Sequence, residues 1–340
     1  MKNFKESMRD YQIMWKTKYL PHIRTNGYQN GQSYSHILPK TNYKENFYPQ
    51  IVKELFDSDS GYLRQNQIKP HTGIHNLLSS WTLCANMYWP FNNAEGRHLL
   101  KEWLTKQTNL DIAEVTNLEL EYEDPMPELK PGSLLGEENH GMRGSGQTSP
   151  DLAVLFKTSE GHDGILLIES KFTEHSFYAC SGYVKKTKTA NAPNPNNRRC
   201  LNPSGILSSN FNDCHLTAWG RKYWGLLKNN LDQAAFIQLN RCPMSTSCYQ
   251  VFRQQALAKG FEKHYSIVAS CVVTDKRNTT LVNSCTSTGM TSFPDGWKKL
   301  FPGLSFFWLT HNSWFDFVNK NNKAGKWNDW IEYIKNRYDY

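Results

Sequence analysis

Four consecutive apolar residues, Ile165-Leu-Leu-Ile168, run straight into Glu169-Ser-Lys171. Such a stretch reads as a buried strand that ends in charge. An unpaired charge at the end of a buried strand is costly, so Glu169 and Lys171 need a reason to be there. Asp151-Leu-Ala-Val-Leu-Phe156 reads as a second compact strand, and the glycines of Glu160-Gly-His-Asp-Gly164 suit a hairpin between the two. Positions i and i+2 of a strand face the same side, so Glu169 and Lys171 project together. Antiparallel pairing sets the start of the first strand beside the end of the second, which brings Asp151 next to Glu169.

The surrounding chain supplies more elements. Leu77, Trp81, Cys84 and Tyr88 recur at helical spacing over 76–91, and Pro90 stops that helix. Asn93 is placed to cap a second helix over about 94–106, which carries Glu95, Leu99, Leu100 and Trp103. The alternation over 117–123 predicts a half-exposed strand, with Leu118, Leu120 and Tyr122 inward and carboxylates outward. Residues 124–149 are rich in Pro, Gly and Ser and read as loop. Helices are expected over 219–228, 231–239, 248–259 and 327–338, and further strands over 265–273 and 304–309. The first 75 residues are polar and Tyr-rich and read as a helical, irregular extension. The expected organisation is that extension (1–75) ahead of one domain (76–340), with a basic, cysteine-containing insertion around 180–248.

Two carboxylates at one end of a sheet repel each other and invite a hard cation. Mg²⁺, or Mn²⁺, takes one or two carboxylates and completes its shell with waters and a substrate phosphate. Lys171 beside it could orient or help deprotonate an attacking water, or neutralise charge in a phosphorane-like transition state. This residue set suits phosphodiester hydrolysis better than acyl transfer, which needs a Ser or Cys nucleophile with a paired base. The plainer reading is an ordinary strand pair, with Asp151 as a turn residue and Glu169 and Lys171 on a solvated face.

Pro150-Asp151 and Glu169-x-Lys171, on adjacent strands with a helix upstream, resemble the PD-(D/E)XK, or restriction-endonuclease-like, nuclease superfamily. Phrases such as Trp219-Gly-Arg-Lys-Tyr-Trp224 and Tyr249-Gln-Val-Phe-Arg-Gln-Gln-Ala-Leu-Ala258 are similar to a group of bacterial restriction endonucleases, over about residues 75–310. The resemblance implies an α/β fold, a mixed four- or five-stranded central sheet flanked by helices, and Mg²⁺-dependent DNA cleavage. It implies an upstream acid at the metal, for which Glu95 and Glu137 are both candidates. It also implies a glutamine on the helix after the catalytic strands, and Gln250 or Gln254 could play that part beside Arg253. Double-strand cleavage by this superfamily commonly uses two active sites, which suggests a homodimer. No motor motif is present to feed DNA through an exonuclease, so endonuclease is the expected activity.

Eight cysteines in a chain of 340 residues read as free thiols or metal ligands more readily than as disulfides. Cys180, Cys200, Cys214 and Cys242 follow the catalytic strand and could order a segment with little else to pack. Zn²⁺ would take four N or S ligands, with His215 as a further candidate. Cys242-Pro243 resembles the phrasing of an iron–sulfur ligand, and some members of the nuclease superfamily carry a 4Fe-4S cluster. Over 181–230 there are eight Lys and Arg against the single acid Asp213, out of a formal net charge of +8 for the whole chain. Lys185, Lys186, Arg198, Arg199, Arg221 and Lys222 are thus expected to contact a phosphate backbone. Tyr183, Trp219, Tyr223 and Trp224 are interleaved where they could stack on bases. No apolar run approaches the ~20 residues of a membrane helix, and the opening residues lack the apolar core of a signal peptide. A cytoplasmic location is the expectation. Two other functions compete: a non-catalytic nucleic-acid-binding module with a Zn-ordered basic segment, and a nuclease acting on RNA.

Overall fold

The structure is a computed structural model that describes residues 2–137, 141–183 and 194–340. Its centre is a five-stranded mixed sheet in sequential order: β1 (Glu114–Leu120), β2 (Leu152–Lys157), β3 (Asp163–Lys171), β4 (Ile267–Thr274) and β5 (Phe306–Thr310). The first three strands form the expected antiparallel meander, with Leu152 opposite Ile168 and Lys157 opposite Asp163. β4 and β5 then run parallel to β3 and to each other. Parallel neighbours need long crossovers, and the chain uses residues 172–266 for the first of them. A small separate hairpin pairs Gly27–Gln29 with Gln32–Tyr34.

Both faces of the sheet are covered, which explains the unbroken apolar run of β3. Leu152, Val154, Leu166, Ile168 and Cys271 face one apolar layer, where helices α1 (Phe4–Tyr19), α2 (Ser80–Tyr88), α3 (Ala94–Thr108), α5 (His311–Asn321) and α6 (Asn328–Tyr338) pack. Ala153, Ile165, Leu167 and Val272 face the other, with helix α4 (Tyr249–Phe261) and the aromatic residues Trp224, Phe252 and Trp297. The α/β class and the helix-flanked mixed sheet are as expected.

Local chemistry sets the helix starts. Asn3 and Glu6 close a capping box at α1. Ser79 accepts from the Thr82 N–H, so α2 begins later than its apolar spacing suggested. Asn93 Oδ1 accepts from the Gly96 N–H at 3.0 Å and caps α3 as read.

The first 75 residues share the sheet's own core, through Met8, Phe47, Ile51 and Leu55. Gln12 Nε2 donates to the Arg337 carbonyl (2.7 Å), and the buried Arg337 guanidinium lies 4.1 Å from the Trp15 ring centre. Among the described residues, no helix is long and apolar enough to cross a membrane.

Candidate active site

β1 ends earlier than the alternation over 117–123 suggested. It stops at Leu120, and Glu121 adopts a left-handed backbone with φ 49°. That conformation is costly for a residue with a Cβ and marks a place where the surroundings hold the chain. The Glu121 N–H donates to the Asp151 carbonyl (3.2 Å), and the Tyr122 N–H to that of Pro150 (3.1 Å). The ends of β1 and β3 therefore flank the start of β2, and Glu121, Asp151 and Glu169 come from three neighbouring strands. The alternation places Glu121 among the outward carboxylates, but it is only 5% exposed.

Glu169 and Lys171 project together, as the strand period requires. Lys171 Nζ donates to Glu169 Oε1 at 2.6 Å, and both side chains are buried. Asp151 Oδ2 accepts from the Ser170 N–H at 2.8 Å, which fixes it against the end of β3. Ser170 points to the opposite face, where its hydroxyl meets Nε2 of the buried His311 at 3.2 Å. The Lys171 ammonium also sits about 6 Å from two ring centres, Phe177 (6.0 Å) and Tyr178 (5.9 Å).

These groups strain one another electrostatically. Burial, and next the Glu169 carboxylate, push Asp151 well above the usual carboxylate range, against the pull of Lys171 and the Ser170 N–H. Glu121 is pushed up by burial, then by Asp151 and Glu169. For Lys171 burial acts downward, but Glu169, Glu174 and Asp151 outweigh it and hold the pKa above that of a free lysine. Lys171 is therefore a firm cation. His71, from the N-terminal stretch, is lowered by burial and then by Lys171, while Glu174 and Glu169 oppose the shift. It stands within the field of the site, and nothing local in the sequence marked it.

The two upstream acids behave differently from Glu121. Glu95 is exposed on α3 and pairs with Lys326 near the C-terminus. Glu137 is buried and already saturated. It accepts from the Thr148 N–H (2.6 Å), the Thr148 and Tyr223 hydroxyls and Arg253 Nε (3.3 Å). Burial raises its pKa, but Arg253 and these donors outweigh that and lower it. Its part is to hold Arg253 in place.

A cleft of about 80 Å³ opens beside Glu169, lined by Gln147, Pro150, Gln250, Arg253 and Gln254 among others. Gln254 Nε2 is spent on the Ser270 hydroxyl (2.9 Å) and the Leu167 and Cys271 carbonyls, so this residue ties α4 to the sheet. Among the described residues, Gln250 and Gln254 both keep a buried Oε1 without a partner.

The basic segment is only partly a free surface. Lys185 and Lys186 lie outside the described residues. Arg198 is exposed, and Arg199 Nη1 donates to the Asp213 carbonyl (3.1 Å). Arg221 and Lys222 bind the carbonyls of Gly136 and Ser133 and so anchor the 133–136 turn. Two of the interleaved aromatics are core residues rather than base-stacking platforms. Trp224 stacks on Phe211 with ring centres 4.1 Å apart, and Tyr223 is buried against Glu137. Cys180, Cys200, Cys214 and Cys242 gather elsewhere, in the apolar layer around α4. Among the described residues, no three His, Cys, Asp or Glu side chains stand ready-made around one metal position.

The mixed sheet thus gathers acids and a lysine at one edge, a residue set suited to phosphodiester chemistry. Sequence comparison agrees: the chain belongs to the family described as restriction endonuclease associating with ARP, whose model matches residues 6–339. Searches of the curated proteins and of the solved structures give no match.

Proposed function

We propose that the protein is a divalent-metal-dependent DNA endonuclease of the PD-(D/E)XK type. The observation that carries this reading is the line of Glu121, Asp151 and Glu169 across three strands, with Lys171 Nζ 2.6 Å from Glu169. The family description, which names a restriction endonuclease, points the same way.

The donor set fits Mg²⁺ or Mn²⁺. It is all oxygen, and Asp151 and Glu121 are pushed up first by burial and next by their neighbouring carboxylates, a cost that a divalent cation offsets. Mg²⁺ needs only one or two protein carboxylates, because waters complete its shell. Asp151 and Glu169 would hold the ion, with Glu121 as the further acid in place of Glu95 or Glu137. A bound ion supplies Lewis acidity at the scissile phosphate and lowers the pKa of a water.

The chain's own groups do the rest. Lys171 is held as a cation, so it donates hydrogen bonds and offsets negative charge instead of accepting a proton. Arg253, fixed by Glu137 and Thr148, presents a second cation at the cleft. Gln250 Oε1, without a partner among the described residues, offers an acceptor at the same cleft for a water or a nucleic-acid donor group. DNA is the expected polyanion, and Arg198 is placed on the surface to meet it.

The test is cleavage of supercoiled plasmid with Mg²⁺ or Mn²⁺, with structured RNA as a parallel substrate. The wild type is expected to nick or linearise the plasmid and to stop on chelation. Lys171→Ala and Asp151→Asn are expected to lose at least ~100-fold of the rate, the scale of a lost transition-state donor. Equal cleavage by Lys171→Ala would overturn the assignment, and cleavage of RNA alone would move the substrate class.

A further inference from the structure

Resting on the nuclease reading, we propose that Tyr178 is a stacking platform for an unpaired DNA base next to the scissile phosphate. Two adjacent aromatic residues have opposite fates at the end of β3. Phe177 is fully buried, its ring centre 4.5 Å from that of Phe293. Tyr178, the next residue, is 52% exposed. Its ring centre nevertheless lies 5.9 Å from Lys171 Nζ, and that nitrogen is 2.6 Å from Glu169 Oε1. The exposed ring therefore stands at the carboxylate–lysine cluster and not on a remote face.

The backbone that presents the ring is costly and fixed. Tyr178 has φ 58°, in the left-handed region that a residue with a Cβ seldom takes. Its N–H donates to Ser176 Oγ (3.2 Å), and its carbonyl accepts from the Tyr249 N–H (3.2 Å). Phe177 is held on both sides, its N–H by the Ser247 carbonyl (2.8 Å) and its carbonyl by the Gln250 N–H (3.0 Å). The two carbonyls satisfy the first N–H groups of α4, which accounts for the turn. They do not account for a tyrosine in it, because glycine or asparagine takes that conformation at lower cost. Phe211 shows the ordinary compensation. It has φ 65°, but it is 3% exposed and stacks on Trp224. Tyr178 keeps the strain while its side chain stays in water, and a ligand contact supplies the missing return.

The neighbours define the ligand. Glu169, Gln250 and Arg253 line one cleft, and the Gln250 N–H bond ties that cleft to the 177–178 turn. A phosphodiester held by the carboxylate-bound metal, Lys171 and Arg253 carries its base one sugar away, and Tyr178 stands ready to stack on it. Stacking on an aromatic ring suits any base, because every base has a π-face. A base inside a duplex has both faces covered by its neighbours, so the base that stacks here has left the helix. The protein should therefore prefer DNA with an unpaired nucleotide at the cleavage position over fully paired DNA.

The probe is a short DNA duplex with one unpaired 2-aminopurine, a base whose fluorescence is quenched by stacking, compared with the same duplex fully paired. The full chain is titrated into each with Ca²⁺ in place of Mg²⁺ and, separately, with chelator. The wild type is expected to bind the unpaired probe about tenfold more tightly than the paired one. Tyr178→Asn is expected to lose that preference and to leave the bound 2-aminopurine brighter than the wild type does. Its urea midpoint should be unchanged or higher, because asparagine suits the turn. Tyr178→Phe keeps the ring and should keep both preference and quenching, and Tyr178→Gly gives the same reading if the asparagine variant does not fold. Equal binding of the two duplexes by the wild type, or undiminished preference in folded Tyr178→Asn, would overturn the proposal. So would a loss of cleavage without any loss of binding, which would mean that the ring acts only through Lys171. Each of these results leaves the nuclease reading standing, whereas wild-type protein that binds neither duplex overturns both.

Discussion

Asp151 and Glu121 are asked to ionise beside Glu169 in a dry site, and both resist. A carboxyl whose folded pKa is raised stabilises the fold below its unfolded pKa, and that stability is lost as pH rises through the folded pKa. The metal-free protein should therefore be stabilised at neutral pH by Asp151→Asn, whose amide oxygen can keep the Ser170 N–H bond. A gain of about 1–3 kcal/mol in urea unfolding is expected, with cleavage abolished. Saturating Mn²⁺ should stabilise the wild type and reverse the order. A destabilised metal-free Asp151→Asn would show that burial and the neighbouring carboxylates do not strain an ionised Asp151. His311 has the opposite sign. Burial pushes it down to about 4 from an ordinary 6.5, so it is neutral in the fold and costs nothing above pH 6.5. Between pH 6.5 and 4 the unfolded chain takes up the proton first, and about 3 kcal/mol of stability drains away. Unfolding of the wild type against His311→Gln across that window should show the difference growing toward acid in the variant's favour.

The elements carry their own signals, and α3 is the clearest. Asn93 caps it through the Gly96 N–H, and Asn93→Ala should cost about 1 kcal/mol. Alanine is normally about 1 kcal/mol better than glycine inside a helix. At Gly96 the order should invert, because a Cβ there would lie 2.5 Å from Phe91 Cα and 2.6 Å from its carbonyl oxygen. Gly96→Ala is expected to lower the urea midpoint by an amount worth about 1–3 kcal/mol, the usual cost of overpacking. At the same scale, β1 shows where local reading stops. Alternation of Leu118, Leu120 and Tyr122 was enough to announce a strand, but not that Leu120 would end it. The left-handed turn at Glu121 depends on its pairing with Asp151, thirty residues on.

In the whole molecule the two chain ends close one face of the sheet together. Trp15 and Arg337, 322 positions apart, form a buried cation–π pair at 4.1 Å. Arg337 Nη2 also reaches Asn46 Oδ1 (2.7 Å) and the Leu77 carbonyl (3.2 Å). Trp15→Ala should therefore cost about 3–5 kcal/mol, as a core truncation does, instead of the negligible loss of a surface residue. A thermal melt within experimental error of wild type would make the N-terminal helix a dispensable appendage.

Much of the site was legible in one dimension because it rests on short-range rules. Period-two geometry put Glu169 and Lys171 on one side. A tight hairpin brought Asp151 to them, and the apolar run before Glu169 made its burial evident. The preference of asparagine for helix starts did the same for α3. The proposed third acid is a different matter. Glu95, Glu121 and Glu137 look alike as letters, and only strand register, an ion pair with Lys326 and saturation by Arg253 and Thr148 tell them apart. The same holds for Trp224, a core residue amid basic neighbours, and for His71, carried to Lys171 by a distant loop. Local pattern encodes which face a side chain takes. Which faces meet is decided by closing the chain over long separations, where burial and electrostatic pairing select one arrangement out of many.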